Sequence, residues 1–131
     1  MSTTNVDFGN IATNGQSVSA TGSVNVLCNR QTAYRVFQSF GTNGGLNGRL
    51  LKNTSAADTL PYMICYQPGM VSGNCPNNSR WYPPEYAASF SYYVSGSGTG
   101  SSQQIPVYLT VYGGYVTPGV YTDSVVTTLS F

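Results

Sequence analysis

Side chains able to do chemistry are few in this chain and lie far apart. It holds four carboxylates, Asp7, Asp58, Glu85 and Asp123, each isolated in sequence, and no histidine. Without histidine the commonest general base, the Ser-His dyad and most zinc sites are gone. Two of the acids meeting in space would suit a glycosidase, but lone acids more often cap turns or pair with an arginine. The stretches GTNGG and SGSGTG are rich in glycine, yet neither is followed by the Lys-Ser/Thr of a phosphate loop. NTS at Asn53 and NNS at Asn77 fit the glycosylation sequon, a frequent chance match in a chain this rich in Asn and Ser. The residues thus suggest no catalytic centre, metal site or cofactor. A binding or building role is the expectation.

Three cysteines, Cys28, Cys65 and Cys75, permit at most one internal bridge. Cys65 and Cys75 bracket the loop YQPGMVSGN and are expected to close it, with Cys28 left over at the end of SVNVLC. The alternative is three buried thiols behaving as small apolar groups.

The elements that must position these groups follow from composition and period. At 131 residues the chain fits one domain, taken as 1–131, with room for a core. Only 7% of its residues are charged, about a quarter of the usual share. Ser, Thr, Asn, Gly and Tyr replace them, a mixture typical of secreted, β-rich proteins. The net charge is +1, and Arg30, Arg35, Arg49, Lys52 and Arg80 are scattered, which argues against nucleic acid as a partner. No apolar run is long enough to span a bilayer. MSTTNVDF lacks the basic and apolar regions of a signal peptide, so the chain reads as a mature protein or a piece of something longer.

Short alternating runs separated by turn residues recur: NVDF, SVNVLC, YRVFQSF, GRLLKN, LPYMICY, ASFSYYV, IPVYLTVYG and the closing GVYTDSVVTTLSF. TNGQ, GTNGGLNG, SGSGTGSSQQ and VTPG lie between them as turns and loops. About eight short strands with glycine-rich connections predict an all-β, Greek-key β-sandwich. In the last run Val125, Thr127, Leu129 and Phe131 share one face. Bare strand edges recruit other chains, so the expectation is that either an internal neighbour or another molecule hides this strand.

One segment breaks the rhythm. YQPGMVSGNCPNNSRWYPPEY has no alternation, contains the only Trp, and holds several Pro and Tyr residues. Loops this long are usually functional, and Tyr and Trp populate binding surfaces. Met70, Val71, Trp81, Tyr82, Pro83, Pro84 and Tyr86 are the expected surface-binding patch; the competing reading folds Trp81 and the tyrosines back as core.

The runs VDFGNI, GSVNVLC, YRV, GRLLKNTSAADTLPYMIC, IPVYLTVYGG and GVYTDSVVTTLSF stand in an order that resembles spore coat protein U domains. The most specific part is the closing pattern carried by Gly119, Tyr121, Asp123, Val125 and Phe131. That family supplies subunits of archaic, Csu-type chaperone–usher pili. The resemblance implies an immunoglobulin-like sandwich lacking its final strand and completed by a donor strand. A periplasmic chaperone would supply it first and a neighbouring pilus subunit afterwards, by strand addition. Val125, Thr127, Leu129 and Phe131 would then line the acceptor groove. It further implies a non-enzymatic subunit exported through the periplasm to the bacterial surface, serving adhesion and biofilm formation.

The family's usual Cys before Phe-Gly, partner of the one matching Cys28, has no counterpart in this sequence. Its N-terminal donor segment is likewise not found, and a WGDG-like stretch is replaced by SRWYPPEYAASFSYY. The aromatic stretch favours a tip domain that sticks to abiotic or host surfaces over a rod subunit. The alternative from another class is a lectin-like, carbohydrate-binding sandwich that stacks sugars on Trp81 and neighbouring tyrosines.

Overall fold

The computed structural model describes residues 2–3, 11–13, 18–45, 48–69, 74–86, 92–112 and 117–131. The described residues form ten strands, most of them from period-2 runs rich in Val, Leu, Ile and Tyr. These are β1 (Ser2–Thr3), β2 (Ile11–Thr13), β3 (Val18–Leu27), β4 (Ala33–Gln38) and β5 (Arg49–Asn53), then β6 (Thr59–Cys65), β7 (Val94–Ser97), β8 (Ser102–Val111), β9 (Gly119–Thr122) and β10 (Thr127–Ser130). A large sheet takes the order β1-β3-β8-β6-β5-β9-β2 and a small one the order β10-β4-β7. The pairings in both are antiparallel. The architecture is an immunoglobulin-like β-sandwich.

The longest ladder, β3 on β8, runs from Val18 opposite Val111 to Leu27 opposite Ser102. Val24 and Val26 from β3 and Val107, Leu109 and Val111 from β8 point inward, joined by Leu60 and Ile64 from β6 and Val36 from β4. Each such buried aliphatic side chain contributes about 1.5–3 kcal/mol. Tyr108 and Thr110, on the other face of β8, are half-buried.

Trp81 is fully buried, 0% exposed, and its indole N–H donates to the Val36 carbonyl at 2.7 Å. The backbone around it runs between the sheets as an irregular rung. Tyr66 N–H donates to Ser79 O at 3.0 Å, Arg80 bridges to Cys65, and Gln38 N–H donates to Tyr82 O at 3.2 Å. The expectation of a protruding contact loop is therefore corrected over this part: Trp81 and Pro83 are core, because the rung satisfies strand-end polar groups that would otherwise be buried unpaired. The Cys65–Cys75 disulfide ties the loop's start to this rung, while Cys28 is a buried free thiol.

Three other differences have physical causes. GVYTDSVVTTLSF is not one strand but two in different sheets, β9 and β10, broken at residues 123–126. SGSGTGSSQQ is not all loop, since β7 and β8 leave only residues 98–101 between them. Gly96 sits in β7 opposite Tyr34, where an added Cβ would lie 2.7 Å from a ring carbon, so glycine there makes room for a buried tyrosine. Ile11–Thr13 is a strand although no alternation announces it; it borrows its ladder from β9. The expected strand NVDF lies outside the described residues.

Trp81→Ala is expected to lower unfolding free energy by about 3–5 kcal/mol, since it removes a buried aromatic group and leaves a cavity. Denaturant titration would measure it; a loss below about 1 kcal/mol would show that Trp81 does not hold the sheets together.

Candidate functional site

The candidate site is an edge of the small sheet with which no further described strand pairs. β10 pairs with β4 from Thr127 opposite Gln38 to Ser130 opposite Arg35. The ladder is prolonged by Ser39 N–H to Val126 O at 2.9 Å and Thr42 N–H to Ser124 O at 3.0 Å. On its other side β10 has no strand neighbour among the described residues. Side chains alternate as the pleat requires. Val125 (7% exposed) and Thr127 are buried, Leu129 packs partly on the core, and Val126, Thr128 and Ser130 face out. Phe131 is 77% exposed beside a hollow of about 500 Å³ that Tyr34, Arg35 and Gly96 also line. Among the described residues β3 is paired on the side facing this seam at Val26 and Leu27, by β1, which also lies near β10. Thr127 Oγ1 donates to Gln38 Oε1 at 3.0 Å, a polar tie inside an apolar wall.

Asp123 sets where β10 begins. Its Oδ1 accepts from Thr42 N at 3.0 Å, Asn43 N at 3.2 Å and Asn43 Nδ2 at 3.2 Å, while Oδ2 accepts from the Tyr62 hydroxyl. The backbone of Gly41 comes so close that a Cβ there would fall 1.9 Å from Oδ2, and its φ of +85° suits glycine as well. Burial, followed by the bond to Asp123 and its charge, raises the Tyr62 phenol above its ordinary value. Asp58 is likewise occupied: Oδ2 accepts from Thr117 N at 2.7 Å, and Thr117 holds its carboxyl below the ordinary value. Glu85 is exposed, and Asp7 lies outside the described residues. Asn53 of the first sequon is buried, its Oδ1 accepting from Ser55 N at 2.8 Å and Ala56 N at 3.1 Å, so it serves a turn.

Arg49 opens β5 and is 3% exposed. Nε donates to Ser39 O at 3.0 Å and Nη2 to Gln38 O at 3.2 Å and to Trp81 O. Desolvation pushes its pKa down to about 10, leaving it protonated at neutral pH. The sequence signalled neither this role nor the Tyr62–Asp123 pair, because residues far apart in the chain meet only once the sheets stack.

Of the seven expected contact residues, Met70 and Val71 lie outside the described residues, and Trp81 and Pro83 are buried. Tyr82 and Pro84 are half-buried, and Tyr86 is open. Phe40 gathers two of them, with ring centroids 5.0 Å from Tyr82 and 5.5 Å from Tyr86. Tyr82 also packs edge-on against Tyr92 at 4.9 Å.

Sandwich, terminal edge strand and inward-facing Val125, Thr127 and Leu129 together define a β-sandwich domain whose small sheet ends, among the described residues, at β10. Residues 1–128 match the Spore Coat Protein U domain family, and the chain belongs to it. Comparison with curated proteins finds no match in sequence. Among solved structures, the fold is similar to the CsuC–CsuE chaperone–tip adhesion subunit pre-assembly complex from archaic chaperone-usher Csu pili of Acinetobacter baumannii. The TM-score is 0.53 and the identity 18%, covering 96% of this chain and 40% of that one. The present chain thus spans less than half of that structure's length.

Asp123→Ala strands three backbone or side-chain donors and the Tyr62 hydroxyl, and is expected to cost about 2–3 kcal/mol in denaturant unfolding. The Tyr62 phenol, raised in the folded state, contributes stability present below its ordinary value of 10 and lost as pH rises above it. The stability gap between wild type and Tyr62→Phe should therefore shrink above pH 10; a gap that stays level would contradict the assignment. Asp58 runs the other way, its contribution present above the ordinary carboxyl value and lost as pH falls through the lowered one. Its NMR titration midpoint should move up in Thr117→Val.

Proposed function

We propose that this chain is a non-enzymatic subunit of an extracellular pilus, exported through the periplasm, whose small sheet is completed along β10 by a strand from another molecule. A periplasmic chaperone and a neighbouring subunit are the expected donors. The observation that carries this reading is the edge itself: β10 ends the three-stranded sheet, with Val125 and Thr127 buried and Leu129 half-buried beside a flank that no described strand pairs with. Family membership supports it. Strand addition supplies backbone hydrogen bonds for affinity and lets alternate side chains fill pockets. The occupied carboxylates of Asp58 and Asp123 suit a building role better than catalysis.

The finer reading is a domain at the fibre tip that serves adhesion and biofilm formation through its aromatic segment. Among the described residues its support narrows to Tyr82, Pro84 and Tyr86, since Trp81 and Pro83 are buried. The same burial removes the Trp81 platform on which a lectin reading would stack sugars.

A peptide of about eight to ten residues with alternating large apolar side chains tests strand completion. It should raise the melting temperature by several degrees and slow amide hydrogen exchange across residues 124–130. A peptide with the same composition shifted by one residue should do neither. Unchanged melting and exchange with the matched peptide would sink the reading. For the tip role, Tyr86→Ser should reduce retention of the folded domain on hydrophobic beads without altering its melting.

A further inference from the structure

Among the described residues three buried side-chain polar atoms have no hydrogen-bond partner: Gln38 Nε2, Ser79 Oγ and Gln103 Oε1. Of these residues, Gln38 is the one hydrogen-bonded to β10. It closes β4 and is fully buried. Its side-chain oxygen accepts from Thr127 Oγ1 at 3.0 Å, across the residue pair that begins the β10 ladder. Nε2 belongs to the same planar amide and so lies beside Thr127 as well, with two N–H groups to donate.

Gln38 cannot swing away to find an acceptor. Its backbone N–H donates to Tyr82 O at 3.2 Å and its carbonyl accepts from Arg49 Nη2 at 3.2 Å, which holds the residue from both sides. The inward residues next along the two strands, Val36, Val125 and Leu129, are apolar. A buried donor left without an acceptor keeps the full cost of its desolvation. β4 has β7 on one side and β10 on the other, and no described strand follows beyond β10. A strand added there would run about 4.8 Å from β10. Its inward side chain opposite Thr127 would then reach the amide that Thr127 already engages. Thr–Thr and Thr–Ser pairs across neighbouring strands are favourable in sheets.

Resting on the strand-completion reading above, we propose that the completing strand is not apolar throughout. At the inward position opposite Thr127 it carries a small uncharged side chain with an acceptor oxygen, Ser, Thr or Asn, which takes the hydrogen bond from Gln38 Nε2. Apolar side chains flank it on the same face, toward Val125 and Leu129. The amide thereby sets the register of the added strand. A slip by two residues keeps every inward side chain inward, but it places an apolar group against Nε2 and leaves the donor unpaired.

The test uses the whole chain and a peptide of about nine residues whose inward positions are all Val, with variants carrying Thr at one inward position at a time. Val and Thr differ in little but the hydroxyl. At one position Thr should tighten binding roughly fivefold or more, and NMR contacts should place that Thr beside Thr127; at the others Thr should weaken binding. The Gln38 side-chain amide protons should shift downfield with the favoured peptide and not with the all-Val one. In folded Gln38→Met, Val should be preferred at every position; should that variant fail to fold, the amide shift in wild type decides. The proposal is overturned by a favoured Thr lying away from Thr127, by unshifted Gln38 amide protons, or by folded Gln38→Met keeping the preference. Binding of the all-Val peptide with no gain from Thr would overturn the polar position and leave strand completion standing. Binding of none of the peptides would overturn both.

Discussion

A sandwich made of seven strands against three has a geometric difficulty: the narrow sheet cannot cover the wide one, and strand ends inside the seam would bury unpaired peptide groups. The difficulty is met by the rung through Ser79–Tyr82 and by Arg49. One guanidinium reaches the carbonyl groups of Gln38, Ser39 and Trp81, joining β5 of the large sheet, the end of β4 in the small one and the rung between. The Trp81 indole closes the same junction from the other side, at Val36. Desolvation of the charge is unfavourable, as the lowered Arg49 pKa records. Fixed dipoles offset that cost only if they converge, which is why the junction tolerates so little freedom.

Much of the fold was legible before any coordinate. The period-2 runs that form β4, β5 and β6 stand within a residue or two of their true bounds, because one face of each is buried and a buried face writes its period into the residues. The disulfide between Cys65 and Cys75 followed from their bracketing of a short loop. What escaped was non-local. Gly96 looked like loop because the reason for glycine there is Tyr34, sixty-two residues earlier in the chain. Trp81 looked like a contact residue because no local pattern distinguishes an aromatic side chain facing water from one folded under the sheets. Asp123 was read as one place in a motif; its four donors come from Thr42, Asn43 and Tyr62, which sequence distance hides.

The scarcity of charge takes on meaning at the edge. Proteins commonly blunt an exposed strand with lysine, proline or a bulge. Residues 124–131 read SVVTTLSF and contain none of these protective types. The flank of β3 that faces the seam, VSATGSVN, is equally bare. Two such edges flank one seam in which, among the described residues, β1 alone pairs with β3, at Val26 and Leu27. In a molecule with no use for an added strand, the same arrangement would be an aggregation hazard.

An open edge is useful only if its register is fixed. A slip of β10 by one residue along β4 would turn Val125, Thr127 and Leu129 outward and send Val126, Thr128 and Ser130 into the core. No described strand pairs with the open side to resist that slip, so the restraint falls to the two ends of the paired side. The carboxylate of Asp123 holds the chain to the loop after β4 just before the strand begins, and Thr127 bonded to Gln38 marks the first inward position of the ladder. Both ties are polar and therefore directional, whereas apolar packing alone would tolerate a shift by two residues that preserved the buried face. The polar residues in this wall are thus what makes its apolar pattern readable to another strand.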